Sequence, residues 1–216
     1  MDEMPSPNNT RRGYEISKRL VDLLLGGALL VVTAPLMLLL ILLIRICDGN
    51  PVWYRQLRVG RRGNCFTLLK FRTMRPGKSE PHPDRPIARA GQSARITPLG
   101  QVLRRLALDE LPQLWNVLRG EMSLVGPRPL PEKDLTQPGW LASVSDEERA
   151  RRNHWVSVRH TVTPGLTGLW QISPNAEKDL ENWIAADMTY VQRRSLALDF
   201  RILLLTPGAV LRGRQK

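Results

Sequence analysis

The sequence has few cysteines and few of the aromatic residues that stack on nucleic-acid bases. Two cysteines, Cys47 and Cys65, occur in 216 residues. They are too few for a disulfide framework and lack the spacing of a zinc site, so we expect thiols without a role in a reducing compartment. Three Tyr and three Phe leave little surface for base stacking, which argues against a nucleic-acid partner.

Negative charge is also scarce. Lys and Arg number 32 against 20 Asp and Glu, for a net charge of +12, and the pI is about 10.8. Such a surplus needs an anionic partner: nucleic acid, an anionic membrane surface or a phosphorylated substrate. The mean hydropathy of −0.25 argues against a protein with several membrane spans, and the length suits one domain with a real core.

One long segment, from Leu23 to Ile44, contains no charged residue. As a helix it is long enough to cross a bilayer core of ~30 Å. However, Pro35 lies in its middle, and a proline removes a helical hydrogen bond. Basic residues flank both ends, and the positive-inside rule keeps such flanks in the cytoplasm. Two interpretations stay open: a kinked span, or a re-entrant hairpin that bends at Ala34 and Pro35. No cleavage site follows the segment, which argues against a removed signal sequence.

Local signals downstream predict an α+β, mostly helical domain with a short β-hairpin. Strand-like residues at 52–54 and 66–69 flank a basic turn at 60–63. Thr97 followed by Pro98 predicts a helix start, and Gly120 ends a second helix that begins near Asp109.

The remaining chain is predicted as loops and helices. Residues 76–95 are proline-rich and predicted to be a loop, whereas 131–158, 178–192 and 196–211 are predicted to be helical. The last helix is apolar with a basic end, so it suits a membrane interface or a protein core equally.

The adjacent carboxylates Asp109 and Glu110 are candidates for chemistry, although a structural role is also open. Asp is a common N-cap, and Glu complements the positive end of a helix. Pro112 has no N–H to donate to such a cap, which leaves the Asp109 carboxylate partly free at the start of a helix. That place suits a carboxylate that receives a phosphate, and two carboxylates can share a divalent cation with phosphate oxygens.

Basic residues in constrained settings accompany this pair. Lys70 and Arg72 follow a strand, Arg104 precedes the pair, and Arg128 lies between two prolines. Each alone is typical of a solvated surface, but together with the apolar segment they indicate phosphate chemistry at a membrane. The alternative is a non-catalytic, membrane-anchored module that binds anionic lipid or nucleic acid.

An ordered set of strings carries a family resemblance. These are the proline-interrupted apolar segment, PVWYRQLRVGRRG, FTLLKFRTM, RITPLGQVLRRLALDELPQLWNVLRGEMSLVGPRP, RHTVTPGLTGLWQ and DMTYVQRRSLALDFRILLLT. From about Tyr14 to its C-terminus, the chain resembles the bacterial sugar transferases that are monotopic phosphoglycosyl transferases. The resemblance implies a flexible N-terminus at 1–13 and a re-entrant membrane hairpin at 14–47, whose helix is broken at Ala34 and Pro35. It also implies a cytoplasmic catalytic domain at 48–216 with interfacial helices.

The resemblance implies a reaction. A sugar 1-phosphate passes from a nucleotide diphosphate sugar, typically a UDP-sugar, to polyprenyl (undecaprenyl) phosphate, and UMP is released. Such a step initiates glycoconjugate, exopolysaccharide or O-antigen synthesis at the cytoplasmic face of the bacterial inner membrane. Mg²⁺ is the implied cofactor and anionic membrane lipid an implied partner, nucleic acid is not, and a homodimer stays open.

Residue roles follow from the same resemblance. Asp109 matches the nucleophile, which forms a phosphoglycosyl-aspartate, and Glu110 matches the partner that helps Asp109 to hold Mg²⁺. Lys70, Arg104 and Arg128 match phosphate-binding positions, and we add Arg72 from its setting beside Lys70. Asp199 matches a carboxylate that assists the incoming polyprenyl phosphate.

Two departures from the family pattern stand out. Ala34 replaces the serine that usually precedes the proline, and Thr33 is a candidate substitute for its hydroxyl. After Gln171 the family usually continues with Gly-Arg, but this chain reads Ile-Ser-Pro-Asn at 172–175. The missing arginine would contact the sugar nucleotide, so the resemblance does not identify the sugar, whose specificity we expect in residues 130–175.

Overall fold

The computed structural model describes residues 7–75, 95–131, 145–173 and 180–213. In this part of the chain, the α-helices are α1 (Pro7–Cys47), α2 (Pro98–Arg105), α3 (Gln113–Arg119), α4 (Asp146–Arg159), α5 (Leu169–Ile172), α6 (Leu180–Arg193) and α7 (Leu196–Gly213). The strands are β1 (Trp53–Val59), β2 (Cys65–Phe71), β3 (Ser123–Val125), β4 (Leu130–Pro131) and β5 (Gly165–Thr167). Two short 3-10 helices cover Arg61–Gly63 and Leu108–Glu110.

The predicted hairpin is confirmed. β1 and β2 pair antiparallel from Trp53 opposite Phe71 to Val59 opposite Cys65. Gly63 has a φ of +79° in the connecting turn, where glycine avoids the strain that a side chain would add. β4 extends this sheet by pairing with β1, and β3 pairs with β5 in a separate parallel pair.

Other local predictions are confirmed or shifted. The Thr97 hydroxyl caps α2 by accepting from the Gly100 amide, and Pro98 is its first residue. Gly120 ends α3 with a φ of +82°. α4 confirms the second half of the helix predicted at 131–158, whereas Pro131 belongs to β4 and residues 132–144 lie outside the described residues; α6 confirms the helix predicted at 178–192. Of the predicted loop at 76–95, residues 76–94 lie outside the described residues.

The predicted bend at Ala34 and Pro35 stays a prediction, because a helix that bends at a proline keeps helical residues on both sides of it. α1 runs as one helix of 41 residues with Pro35 inside it, and it begins at Pro7 rather than at Tyr14. Helical residues therefore continue through Ala34 and Pro35. The Thr33 hydroxyl donates to the Leu29 carbonyl at 2.7 Å, two residues before the Val31 carbonyl, which lacks its helical donor because Pro35 has no N–H. A single missing amide is therefore accommodated within a helix whose other hydrogen bonds persist.

One face of α1 packs against the rest of the chain along most of its length. Asp22, Gly26, Leu40 and Ile44 are buried on this face. Their positions are separated by one or about four whole helical turns, which places them on one side of the helix. The remaining surface is apolar and exposed, with Leu24 at 72%, Val31 at 74% and Val32 at 75% exposure.

α7 has one face in the core and further apolar residues exposed. Ile202 is buried in the core that also contains Leu68, Leu114 and Val117. Phe200, Leu204, Leu205 and Leu211 are exposed on the other side. The core interpretation is therefore confirmed, and a membrane-interface role for the exposed residues of α7 stays a prediction.

Asn116 joins α3 to the free edge of β2. This fully buried side chain accepts from the Leu69 amide at 3.2 Å and donates to the Thr67 carbonyl at 2.8 Å. It thus continues the ladder of hydrogen bonds on the edge of β2 opposite β1. This contact fixes α3, and the residues just before it, against β2.

We expect Asn116→Ala to destabilise the protein by about 1–3 kcal/mol, because it leaves a buried amide and a buried carbonyl of β2 unpaired. The melting temperature, followed by circular dichroism in detergent, should fall by about 5 °C. Gln192→Ala, at an exposed position of α6, is the control. An unchanged melting temperature for Asn116→Ala would contradict this assignment.

Candidate active site

Asp109 and Glu110 lie on the 3-10 helix Leu108–Glu110, two residues before α3. The predicted start of this helix near Asp109 is therefore wrong, because α3 begins at Gln113, after Pro112. The residue before the 3-10 helix, Ala107, has a φ of +57°, which is strained for a residue with a Cβ. The structural alternative for Asp109 is not supported, since Ala107 caps the 3-10 helix and Pro112 caps α3, neither through a side chain. Asp109 is nevertheless only 7% exposed, so its carboxylate is held in a buried place without a capping role.

A charged cluster forms around Glu110, and we use this term for Lys70, Asp109, Glu110 and Arg128. Glu110 Oε1 lies 3.4 Å from Lys70 Nζ and 3.6 Å from Arg128 Nη2. Lys70 comes from β2, Glu110 from the 3-10 helix and Arg128 from the turn before β4. The structure thus brings together both predicted carboxylates and two of the four predicted phosphate-binding residues.

Burial changes the chemistry of Lys70. Desolvation lowers its pKa to about 8, the nearby Glu110 carboxylate opposes this shift, and the Arg128 guanidinium adds to it. Above this pH the Lys70 amine is mostly neutral, so it no longer attracts phosphate oxygens by its charge. The charge on this lysine therefore depends on pH near neutrality, unlike that of a solvated lysine.

A small cavity opens beside the charged cluster. Lys70 and Arg128 line it together with Arg58 and Gln113. Arg58 is 2% exposed, and its Nη1 donates to the Pro129 carbonyl at 2.7 Å. Three cationic side chains therefore face one cavity, an arrangement that favours a ligand with several negative charges.

Sequence reasoning gave Arg58 and Trp170 no role at the site. Arg58 lies in the string PVWYRQLRVGRRG and is buried near the end of β1. The sequence does not show this burial, because it depends on how β1 pairs with its neighbouring strands. The Arg128 guanidinium lies over the ring of Trp170, 4.7 Å from its centroid. That contact joins segments distant in sequence, so no local pattern could predict it.

The other two predicted phosphate-binding residues, Arg72 and Arg104, have contacts with residues outside the charged cluster. The Arg72 guanidinium donates to the carbonyls of Asp48 and Gly49, where it holds the turn after α1. Arg104 Nε donates to the Thr73 hydroxyl at 2.8 Å. The contacts of Arg72 are those of a structural residue, and a phosphate-binding role for Arg104 stays a prediction.

Asp199 belongs to a separate cluster that joins α1 to α7. Its Oδ2 accepts from the Tyr14 hydroxyl and from Lys18 Nζ, both at 2.9 Å, and its Oδ1 accepts from the Tyr190 hydroxyl at 2.9 Å. At 4% exposure, the carboxylate anchors α1 through these contacts. Its predicted role toward the acceptor stays a prediction.

The metal-binding capacity of the site is limited to two carboxylates. Among the residues that the structure describes, no group of three or more His, Cys, Asp or Glu could hold a metal ion. Asp109 and Glu110 offer oxygen ligands only, as Mg²⁺ prefers, and Mg²⁺ in nucleotide sites commonly takes its other ligands from water and substrate phosphates. The pair therefore fits a metal ion that arrives with a phosphorylated substrate.

Comparison with known proteins matches most of the chain to one family. The family model described as bacterial sugar transferase matches residues 13–213. The exopolysaccharide production protein ExoY of Sinorhizobium fredii is 38% identical over 211 residues, which cover 92% of this chain and 87% of that protein.

Two further relatives have names that specify substrates. The UDP-glucose:undecaprenyl-phosphate glucose-1-phosphate transferase of Caulobacter vibrioides is 37% identical, over 93% of this chain and 72% of that protein. The undecaprenyl-phosphate galactose phosphotransferase of Salmonella typhimurium is also 37% identical, over 95% of this chain and 42% of that protein. The chain belongs to the bacterial sugar transferase family and is a glycosyl-1-phosphate transferase.

Proposed function

We propose that the protein transfers a sugar 1-phosphate from a UDP-sugar to undecaprenyl phosphate, with release of UMP, as the first membrane step of an exopolysaccharide-type glycoconjugate. The names of the Caulobacter and Salmonella relatives support this choice of donor and acceptor class. The observation that carries the proposal is the charged cluster, in which a buried carboxylate pair meets Lys70 and Arg128. A diphosphate needs cations to bind, and transfer of its sugar-phosphate part needs a nucleophile placed among those cations.

In the proposed mechanism, Asp109 acts as nucleophile. One of its carboxylate oxygens attacks the phosphorus that carries the sugar, and the bond from that phosphorus to the bridging oxygen of UMP breaks. UMP leaves with the bond's electron pair, and the sugar phosphate remains on Asp109 as an acyl phosphate ester. A phosphate oxygen of the acceptor then attacks the same phosphorus and releases the Asp109 carboxylate. One site can thereby serve two bulky substrates in turn.

Lys70 and Arg128 are proposed to bind and orient the diphosphate. Their charges face the same Glu110 oxygen, so the phosphate oxygens and Glu110 would share these two cations. Fixed cations at the transferring group stabilise the negative charge that spreads over its oxygens. Mg²⁺, held by Asp109, Glu110 and the diphosphate, would supply further neutralisation of that charge.

The non-catalytic alternative, a basic module that binds anionic lipid, is less well supported. It explains the net charge of +12 but gives no reason to bury two adjacent carboxylates among cations. A module that binds anions would instead keep carboxylates away from its binding surface.

We further propose that α1 enters one leaflet only and returns both of its ends to the cytoplasmic face. Near its start, Tyr14 and Lys18 bond to Asp199 of α7. Near its end, Leu40 and Ile44 pack with Phe71 and Leu103 of the β2 and α2 region. Because one polar domain contacts both ends of the apolar segment, a span across the bilayer would carry that domain into lipid.

Asp109→Asn should reduce UMP release by about 10³-fold or more, because an amide cannot attack phosphorus or leave as a carboxylate. Release is measured by a coupled nucleotide assay with detergent-solubilised protein, a panel of UDP-sugars and undecaprenyl phosphate. Asp146→Asn is the matched control, since the Asp146 side chain is 98% exposed. Normal turnover in Asp109→Asn would eliminate the nucleophile assignment.

The pH profile of kcat/KM for the donor should fall as the pH rises through about 8, the pKa of Lys70. This parameter reports groups of the free enzyme, and only protonated Lys70 carries a charge for the diphosphate. Lys70→Arg should abolish this alkaline decline, since arginine stays charged. A wild-type profile that stays flat well above this pH, or an unchanged decline in Lys70→Arg, would contradict the role of Lys70.

Membrane topology can be measured with three proteins that each carry one cysteine. Cys47 follows the apolar segment, Gly13→Cys precedes it at an open position, and Cys65 marks the polar domain; all three positions are exposed. In sealed inside-out vesicles, an impermeant maleimide should label all three. Protection of Gly13→Cys until the vesicles are opened, with Cys47 and Cys65 labelled, would indicate a spanning helix.

A further inference from the structure

The turn that carries Arg128 is bonded at three consecutive carbonyls. We call residues 127–129, Pro-Arg-Pro, the Arg128 turn. The Pro127 carbonyl accepts from the Gly165 amide at 2.8 Å. The Arg128 carbonyl accepts from Arg159 Nη2, and the Pro129 carbonyl accepts from Arg58 Nη1 at 2.7 Å. Since proline has no N–H, these carbonyls are the main groups through which the turn can be fixed.

Two of the three donors are buried arginines from opposite sides of the turn. Arg58 of β1 is 2% exposed, and Arg159, the last residue of α4, is 3% exposed. Burying a guanidinium is costly unless its charge and its N–H groups are satisfied. Burial of two guanidinium groups that donate to adjacent carbonyls therefore indicates that the position of this turn matters for function.

Arg159 is itself held in place by a carboxylate and two indoles. Asp187 of α6 lies 3.4 Å from Arg159 Nη2, and Trp155 Nε1 donates to the same carboxylate at 3.0 Å. The guanidinium lies 4.6 Å from the ring of Trp155 and 5.6 Å from that of Trp183. This planar group is thus fixed by an ion pair and by cation–π contacts. A lysine could not satisfy the same contacts together.

What the turn positions is the Arg128 guanidinium. This group lies over Trp170 and 3.6 Å from Glu110 in the charged cluster. A shift of the Arg128 backbone would move its charge relative to both the cavity and Glu110. Displacements of about 1 Å at a catalytic group can cost about 100-fold in rate.

We infer that Arg58 and Arg159 are positioning residues for Arg128, and that Asp187 acts by holding Arg159. The functional part of this inference rests on the proposed sugar-phosphate transfer, in which Arg128 binds the diphosphate. Arg159 acts through the backbone of residue 128 and not on the substrate. A merely structural Arg159 would stabilise the α4–α6 core without any dependence on the Arg128 side chain.

The first measurement is hydrogen exchange of the backbone, followed by mass spectrometry on the purified full-length protein, and it needs no turnover. Exchange in the peptide that contains residues 126–131 should accelerate by about 10-fold or more in Arg159→Lys and in Arg58→Lys, because a carbonyl contact of the turn is lost. Arg128→Ala should leave exchange there unchanged, since the bonds reach the backbone only. Arg152→Lys is the matched control: Arg152 is also buried on α4, but pairs with Glu148.

The second measurement is a double-mutant cycle on kcat for UMP release. Arg159→Lys alone should lower kcat by about 10- to 100-fold with less effect on KM. In an Arg128→Ala background the same substitution should cost less than about 2-fold, because the group that it positions is gone. Asp187→Asn should give the same pattern, and it replaces Arg159→Lys if that variant does not fold.

The outcomes separate the two proposals. Equal losses from Arg159→Lys, or from its Asp187→Asn replacement, in both backgrounds would overturn the positioning role, as would unchanged exchange at residues 126–131. Neither of these results would contradict the proposed transfer, provided that the wild-type protein releases UMP. Wild-type protein that releases no UMP from any UDP-sugar would instead overturn the proposed transfer and the catalytic part of this inference. Hydrogen exchange would still decide whether the arginines hold the turn.

Discussion

The two ion pairs of Glu110, with Lys70 and with Arg128, are the interaction on which the site depends. They bring together a strand end, a 3-10 helix and a turn between prolines, at 3.4 Å and 3.6 Å. Asn116 docks the following helix on the edge of β2 and so places Asp109 beside the same cations. The fold thus brings the charged side chains of three segments to one place.

Under the proposed function, a phosphate ligand would balance the three cationic side chains that face one cavity of the site. Lys70, Arg128 and Arg58 face one cavity, and desolvation already lowers the pKa of Lys70. A diphosphate would supply negative charge to these cations, so substrate binding would offset the free-energy cost of their desolvation. The same logic explains the supporting arginines, because a cation that must meet a diphosphate has to be held in one place.

Local signals in the sequence predicted the hairpin, the Thr97 cap of α2 and the Gly120 end of α3, since each depends on neighbouring residues. Pro35 lies inside α1 without ending it, because one missing amide does not end a helix whose buried face is held by the polar domain. The bend predicted at this proline stays a prediction. The resemblance placed Asp109, Glu110, Lys70 and Arg128 together, but Arg72 has structural contacts. The roles of Arg58, Arg159 and Asp187 depend on contacts between distant segments, such as Arg159 with the Arg128 carbonyl, which no sequence periodicity contains.

The central claim, that Asp109 carries the sugar phosphate between donor and acceptor, is tested most directly by mass spectrometry of enzyme mixed with donor alone. Acid quenching within one turnover, followed by digestion, would preserve an acyl phosphate. The account predicts a peptide containing Asp109 that is heavier by one sugar phosphate, formed together with one equivalent of UMP and lost when undecaprenyl phosphate is added. UMP that appears only when both substrates are present, with the Asp109 peptide always unmodified, would contradict it.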